Sequence, residues 1–229
     1  MTALVLGSTG VVGDAIVRAA IEDARVRRVV AVSRRPLTVE HPRLDVRILR
    51  DFTTFAPLEG TLAAVDVVLC ALGVSWYQVA AGRHTREFQY RQITHDYVMA
   101  CARVAAIANG AARFCFVSGH GASLTSSQAW ARIKAETEKD LEAMFGTRLT
   151  IFRPGYVYPV RGRERRYWGD AVMRPFMPFR SAMSRWITDS DDVAGAVLHA
   201  ATGGSVDSPA ENRAIIAAAA AYRSTLTSS

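Results

Sequence analysis

The segment Gly7-Ser8-Thr9-Gly10-Val11-Val12-Gly13 sets three glycines at three-residue spacing between a short apolar run and a helical pattern. Such a turn can hold a diphosphate. Glycine permits backbone conformations and close approaches that a Cβ obstructs, and the helix start offers free N–H groups and the positive end of its dipole. The coincidence of strand, spacing and helix separates this motif from a glycine-rich turn without a ligand. About 20 residues further on, where dinucleotide sites read the adenosine ribose, stand Ser33, Arg34 and Arg35. A carboxylate there would repel the 2′-phosphate of NADP(H), whereas a guanidinium binds it through charge-assisted, bidentate hydrogen bonds. The expected cofactor is therefore NADP(H) rather than NAD(H).

Further along, Asp51 and Phe52 follow a third apolar run, where Asp51 can accept from an adenine amino group or serve as an ordinary loop residue. Ala71, Leu72 and Gly73 end a fourth run, where Gly73 either lets the cofactor pass closely or simply turns the chain. His120 stands between Gly119 and Gly121 just after a fifth run. Imidazoles transfer protons near neutral pH, so His120 is a candidate proton donor at the nicotinamide end, set against the plainer reading of a loop histidine. Tyr156 and Tyr158, after the sixth run, are weaker candidates of the same kind.

The elements that would carry these residues alternate. Apolar, β-branched runs at Ala3–Leu6, Val29–Val32, Val46–Leu49, Val65–Leu72, Phe114–Val117 and Leu149–Phe152 are strand length. Between several of them, Val11–Ala24, Phe88–Ala108 and Ser127–Phe145 carry apolar residues at three- and four-residue spacing. Strand, helix, strand implies a parallel sheet, and continuously apolar strands imply burial on both faces. The predicted fold is a single α/β domain, a doubly wound parallel sheet of the Rossmann type spanning residues 1–229. Residues 160–229 are expected to contribute a small substrate lid and the terminal elements. Asp191–Ala201 reads as a helix, while Ala214–Tyr222 fits either a buried strand or an Ala-rich helix.

Composition agrees with one packed domain: 50% hydrophobic, 21% charged, and too apolar for a disordered chain. Three cysteines are too few and too odd in number for a disulfide scaffold, which suggests reduced thiols and a cytoplasmic protein. No apolar run is long enough for a transmembrane helix, and Met1–Leu6 reads as a first strand rather than a signal peptide. Five scattered histidines show no metal-ligand spacing. The +7 charge favours anionic partners, yet no arrangement of basic and aromatic residues forms a nucleic-acid module, so nucleic acid is not an expected partner. The basic run Arg161 to Arg166 reads as a solvated turn or a site for an acidic group.

Together these segments resemble the short-chain dehydrogenase/reductase superfamily, in particular its atypical members. The resemblance rests on Gly7 to Gly13, Leu69 to Gly73, Phe116-Val117-Ser118-Gly119-His120-Gly121-Ala122, Lys134, and Arg153-Pro154-Gly155-Tyr156-Val157-Tyr158-Pro159. It covers roughly residues 1 to 160, extending loosely to Asp191-Asp192-Val193-Ala194. It implies that Lys134 binds the nicotinamide ribose, that Ser118 hydrogen-bonds the substrate, with Ser123 a weaker candidate, and that Pro154 and Gly155 adjoin the cofactor. The family's tyrosine, four residues before the lysine, is replaced here by Trp130. An indole donates a hydrogen bond but cannot cycle a proton as a phenol does.

Of 28 cationic residues only Lys134 and Lys139 are lysines, so a lysine at the family position argues for a specific role over a helix pair with Glu138. The expected activity is that of an atypical NADP(H)-dependent oxidoreductase or isomerase/epimerase-like enzyme on a small carbonyl or hydroxyl substrate. Trp130 would line its pocket, and water, His120 or the substrate would supply the proton. The alternative is a non-catalytic NADP(H)-sensing regulatory protein. The helices at Phe88–Ala108 and Ser127–Phe145 could also pair in a homodimer.

Overall fold

A computed structural model describes residues 1–76, 79, 83–160 and 184–227; Tyr77 and the basic run Arg161 to Arg166 lie outside them. Strands β1 (Thr2–Leu6), β2 (Arg28–Ser33), β3 (Leu44–Ile48), β4 (Val67–Cys70), β5 (Arg113–Val117), β6 (Leu149–Arg153) and β9 (Ala210–Glu211) form one parallel sheet. Their order is β3-β2-β1-β4-β5-β6-β9. The register Leu4↔Val30 on one side of β1 and Leu4↔Val68 on the other puts the reversal of strand order at β1. A crevice opens there at the carboxyl edge. Tyr156–Tyr158 (β7) and Ile187–Asp189 (β8) form a separate parallel pair beyond that edge.

Helices cover both faces, as the continuously apolar central strands require. On one face α1 (Val11–Glu22), α6 (Ser190–Ala201) and α7 (Asn212–Thr227) enclose a core that includes Val5, Ile16, Leu69 and Phe152. On the other, α2 (Glu59–Ala63), α4 (Tyr97–Ala108) and α5 (Ala129–Phe145) pack over Leu4, Val68, Phe114 and Phe116. Each such fully buried side chain contributes roughly 1.5–3 kcal/mol. β3 is the sheet's edge strand, and its residues are half-buried to exposed.

The predicted helix over Phe88–Ala108 is longer and internally modified: α3 (Arg83–Arg91) runs through a π turn at Gln92–Asp96 into α4. Ala214–Tyr222 is helical, because Ile215, Ala218, Ala219 and Tyr222 are buried at three- and four-residue spacing. The final helices pack on α1 rather than forming a second domain. Tyr222 donates to the buried Asp23 at 2.9 Å, and Asp189 caps α6 by accepting from the Asp192 N–H at 2.7 Å. Burial alone would raise the Asp23 pKa, but hydrogen bonds from Arg25 and Tyr222 outweigh it and hold the carboxyl low. All three thiols, Cys70, Cys101 and Cys115, are free and buried.

Candidate active site

The glycine turn meets the steric demands of a phosphate cradle. Gly7 has φ +80°, a backbone region that disfavours side chains, and a Cβ on it would lie 2.5 Å from the Ala71 carbonyl oxygen. A Cβ on Gly13 would fall 2.0 Å from the Gly7 oxygen, so only glycine lets α1 start this close to β1. Gly10 occupies the N-cap, donates its N–H to Gly7 at 2.9 Å, and leaves α1 without a side-chain cap. Thr9 and Gly10 are exposed, Val11 and Val12 are half-buried in the first turn, and Ser8 is buried beside the Val32 carbonyl. The first-turn amides therefore face the crevice without a competing side-chain acceptor, which fits a diphosphate.

At the end of β2, Ser33 folds back on the chain: its Oγ accepts from the Arg35 N–H at 3.1 Å and donates to the Arg35 carbonyl. This turn leaves Arg34 and Arg35 exposed, neither paired with a carboxylate among the described residues. Asp51 Oδ1 accepts from both the N–H and the hydroxyl of Thr53, at 2.8 and 2.7 Å, and these bonds hold its pKa below the usual carboxylate value. Phe52 turns inward, its ring 5.5 Å from Phe55 and 5.9 Å from Tyr97, so only its main chain is left for a ligand. Ala71 and Leu72 are half-buried beside Gly7, whereas Gly73 is exposed and in open space.

The other end of the crevice is built by β5, α5 and β6. Ser118 is 6% exposed, its N–H is held by the Phe152 carbonyl at 2.7 Å, and its Oγ has no partner among the described residues. A buried hydroxyl without a partner is uncommon and fits a group that awaits a ligand. Lys134, on α5, is half-buried, and a Cβ on Gly119 would sit 3.2 Å from its Cε. Burial lowers the Lys134 pKa to about 8 despite the opposing field of Glu138. The alternative, a helix pair with Glu138, does not form among the described ion pairs. Glu138 is instead taken by Arg153 from β6, whose Nε donates at 3.0 Å and whose Nη2 makes a second bond.

Trp130 lies one turn before Lys134, its indole edge close to Gly121 and its N–H donated to Gln128. His120 has its N–H on the Pro154 carbonyl at 2.8 Å, its Nδ1 on Glu211 at 2.9 Å and its ring edge-on to Trp186 at 5.1 Å. Gly155 donates to Asn212 at 2.8 Å and has no room for a side chain, because a Cβ would lie 2.3 Å from the Trp186 carbonyl oxygen. Ser123 pairs with Thr125 at 3.1 Å. Trp76 stacks edge-on against Tyr90 and under Arg86, as a loop anchor does. Sequence reasoning missed Glu211, Trp186 and Asn212, which come from a stretch with no periodic signal.

A family model described as NAD(P)H-binding matches residues 7–167, which takes in the glycine turn, Lys134 and the β6–β7 segment. The chain belongs to this NAD(P)H-binding family. Among curated relatives it is 32% identical over 172 residues to the mitochondrial protein FMP52 of Eremothecium gossypii, covering 75% of this chain and 73% of that one. It is 31% identical to fmp52 of Aspergillus niger, covering 85% and 84%. To the protein HTATIP2 of Rattus norvegicus it is 28% identical, covering 80% and 72%. Its fold is that of a Burkholderia cenocepacia short chain dehydrogenase solved with NADP, with TM-score 0.68, 17% identity, and 99% of this chain and 95% of that one covered. UDP-glucose 4-epimerase from Thermotoga maritima shares it at TM-score 0.64, with 17% identity and coverage of 87% and 73%.

The Rossmann-type fold is thus borne out, and the resemblance is borne out as an NAD(P)H-binding domain whose structural neighbours include short-chain dehydrogenases. The cytoplasmic expectation is overturned, since the fungal relatives are mitochondrial by name. That expectation rested on cysteine usage, and three thiols buried in the core stay reduced whatever the compartment. No described helix is long and apolar enough to cross a membrane.

Proposed function

We propose that the chain is an NADP(H)-dependent oxidoreductase, or an epimerase-like relative using the same hydride chemistry, on a small carbonyl or hydroxyl substrate. The observation that carries this reading is Lys134, a half-buried ammonium laid against Gly119 and without a carboxylate at ion-pair distance among the described residues. A bound nicotinamide cofactor supplies or accepts the hydride. Lys134 holds its ribose hydroxyls, the first turn of α1 its diphosphate, and Arg34 and Arg35 its 2′-phosphate. Ser118 Oγ donates to the substrate oxygen. Trp130 walls the pocket and moves no proton, its N–H being already engaged by Gln128. His120 provides the proton in place of the family's phenol. The fungal relatives' names support a mitochondrial setting.

Titration of the purified protein with NADPH, NADH, NADP and NAD tests the cofactor reading. NADPH is expected to bind at ~1 μM or tighter and NADH at least about tenfold more weakly, a difference of roughly 1.4 kcal/mol. Equal affinities would remove the role of Arg34 and Arg35, and no binding at all would overturn the cofactor site. Trp130 also favours a second reading, an NADP(H)-sensing regulator. Tight binding without turnover across a panel of aldehydes, ketones and quinones would select it.

A further inference from the structure

Beside the crevice runs a chain of charged side chains that the family resemblance does not supply. Arg153, the last residue of β6, holds the buried Glu138 on one side and lies 3.8 Å from Glu211 Oε1 on the other. The other oxygen of Glu211 holds His120 Nδ1 at 2.9 Å. The carboxylate of Glu211 is thereby fixed from two directions, and its backbone is fixed as well, because Arg153 and Glu211 are partners in the β6–β9 pairing. Exposed ion pairs usually contribute little, since two mobile side chains must be ordered to form them. Here the strand pairing, Arg153, and the Pro154 and Trp186 contacts of His120 have already ordered both members. Gly119 and Gly121, which flank His120, abut the Lys134 and Trp130 side chains, so the histidine stands in the turn that borders the site proposed above.

We infer that Glu211 is a positioning residue that fixes the tautomer and direction of His120 for proton delivery, an inference that rests on the proposed oxidoreductase function. An ionised carboxylate only accepts hydrogen bonds, so its partner Nδ1 must carry hydrogen, and Nε2 becomes the exchanging atom. In the reducing direction a bound NADPH would supply the hydride for the new C–H bond as the C=O π pair moves to oxygen. That oxygen takes the Nε2 proton of the imidazolium, leaving a neutral ring with Nδ1–H still on Glu211. Water then returns a proton to Nε2. Glu138 and Arg153 tie the couple to α5, so the helix that carries Lys134 and the strand that carries Glu211 hold one geometry.

The test combines ring-¹⁵N spectra of His120 with NADPH-dependent turnover of a quinone or aldehyde probe, in wild type, His120→Ala, Glu211→Ala and Glu211→Asp. The neutral wild-type ring is expected as the Nδ1–H tautomer, changing in Glu211→Ala to the Nε2–H form that a free histidine side chain favours. Glu211→Ala should lower kcat about tenfold or more with NADPH affinity unchanged, and Glu211→Asp should recover part of the loss. Full turnover in His120→Ala would overturn the proton donor of the proposed function. Loss in His120→Ala with wild-type turnover in Glu211→Ala would overturn only the role of Glu211. A wild-type ring lacking hydrogen on Nδ1 overturns that role whatever the turnover.

Discussion

The Lys134 side chain fills the space beside the Gly119 α-carbon, where a Cβ would come within 3.2 Å of Cε and 3.3 Å of Cδ. Glycine at 119 thus lets the lysine lie flat against the end of β5. Replacing Gly119 with serine should push Lys134 aside by a few tenths of an ångström. NADPH affinity is expected to fall about 3- to 10-fold, roughly 1 kcal/mol, with an unchanged circular dichroism spectrum. Unaltered affinity would mean that the position of Lys134 does not matter to the cofactor.

Lys134 itself should trade stability for binding. Its folded pKa of about 8 lies below the ordinary lysine value because burial disfavours the charge. Below about pH 8 both states bind the proton and the full cost of the buried charge is present. As pH rises through 8 the native state releases it first, so stability contributed by this group increases towards the unfolded pKa. Lys134→Met should raise the melting temperature of the ligand-free protein at pH 7 by ~2–4 °C and flatten this pH dependence. The same variant should lose NADPH binding, and wild-type affinity should decline above about pH 8 as the ammonium is lost.

The double variant Arg34→Ala/Arg35→Ala should lose NADPH affinity about tenfold or more while leaving NADH binding where it was. Both arginines are exposed and make no ion pair with described carboxylates, so the fold should not register their removal. Parallel titrations at two salt concentrations check this, because the phosphate contribution also weakens with ionic strength.

Gly13→Ala should be the most damaging single methyl in the protein's first turn. Its Cβ would lie 2.0 Å from a backbone oxygen that cannot rotate away. A stability loss of about 3 kcal/mol or more, with cofactor binding abolished, is expected from thermal melts and NADPH titration.

Trp130→Tyr should create or raise carbonyl-reducing turnover, because a phenol one turn before Lys134 restores the proton relay that the resemblance implies. A steady-state assay with NADPH and a quinone probe reads it. If His120 already serves as donor, the gain should persist in Trp130→Tyr/His120→Ala.

Much of this was legible from residue order alone. Continuous apolar runs such as Val67 to Cys70 must be buried on both faces, and a lysine in an arginine-rich chain marked position 134. The glycine turn was legible because φ +80° at Gly7 and the close approach at Gly13 admit no other residue. What was not legible depends on tertiary pairing. Strand β9 has two residues, too short for any period, yet its pairing with β6 brings Glu211 to His120. The partner of Glu138 was not legible either, because Arg153 arrives from a strand and takes both of its oxygens. Ala214 to Tyr222 was undecided because alanine carries almost no period, and only its packing on α1 and α6 resolves it as helix.

The three thiols have a consequence for how the molecule meets its surroundings. Cys70, Cys101 and Cys115 are buried, and burial pushes Cys70 and Cys115 up to about 12 and Cys101 well above its ordinary value. A thiol that neither ionises nor reaches solvent takes no part in exchange or oxidation. A change in glutathione poise or a burst of peroxide therefore leaves the covalent state of these cysteines untouched. Through its cysteines the folded chain is blind to its redox environment.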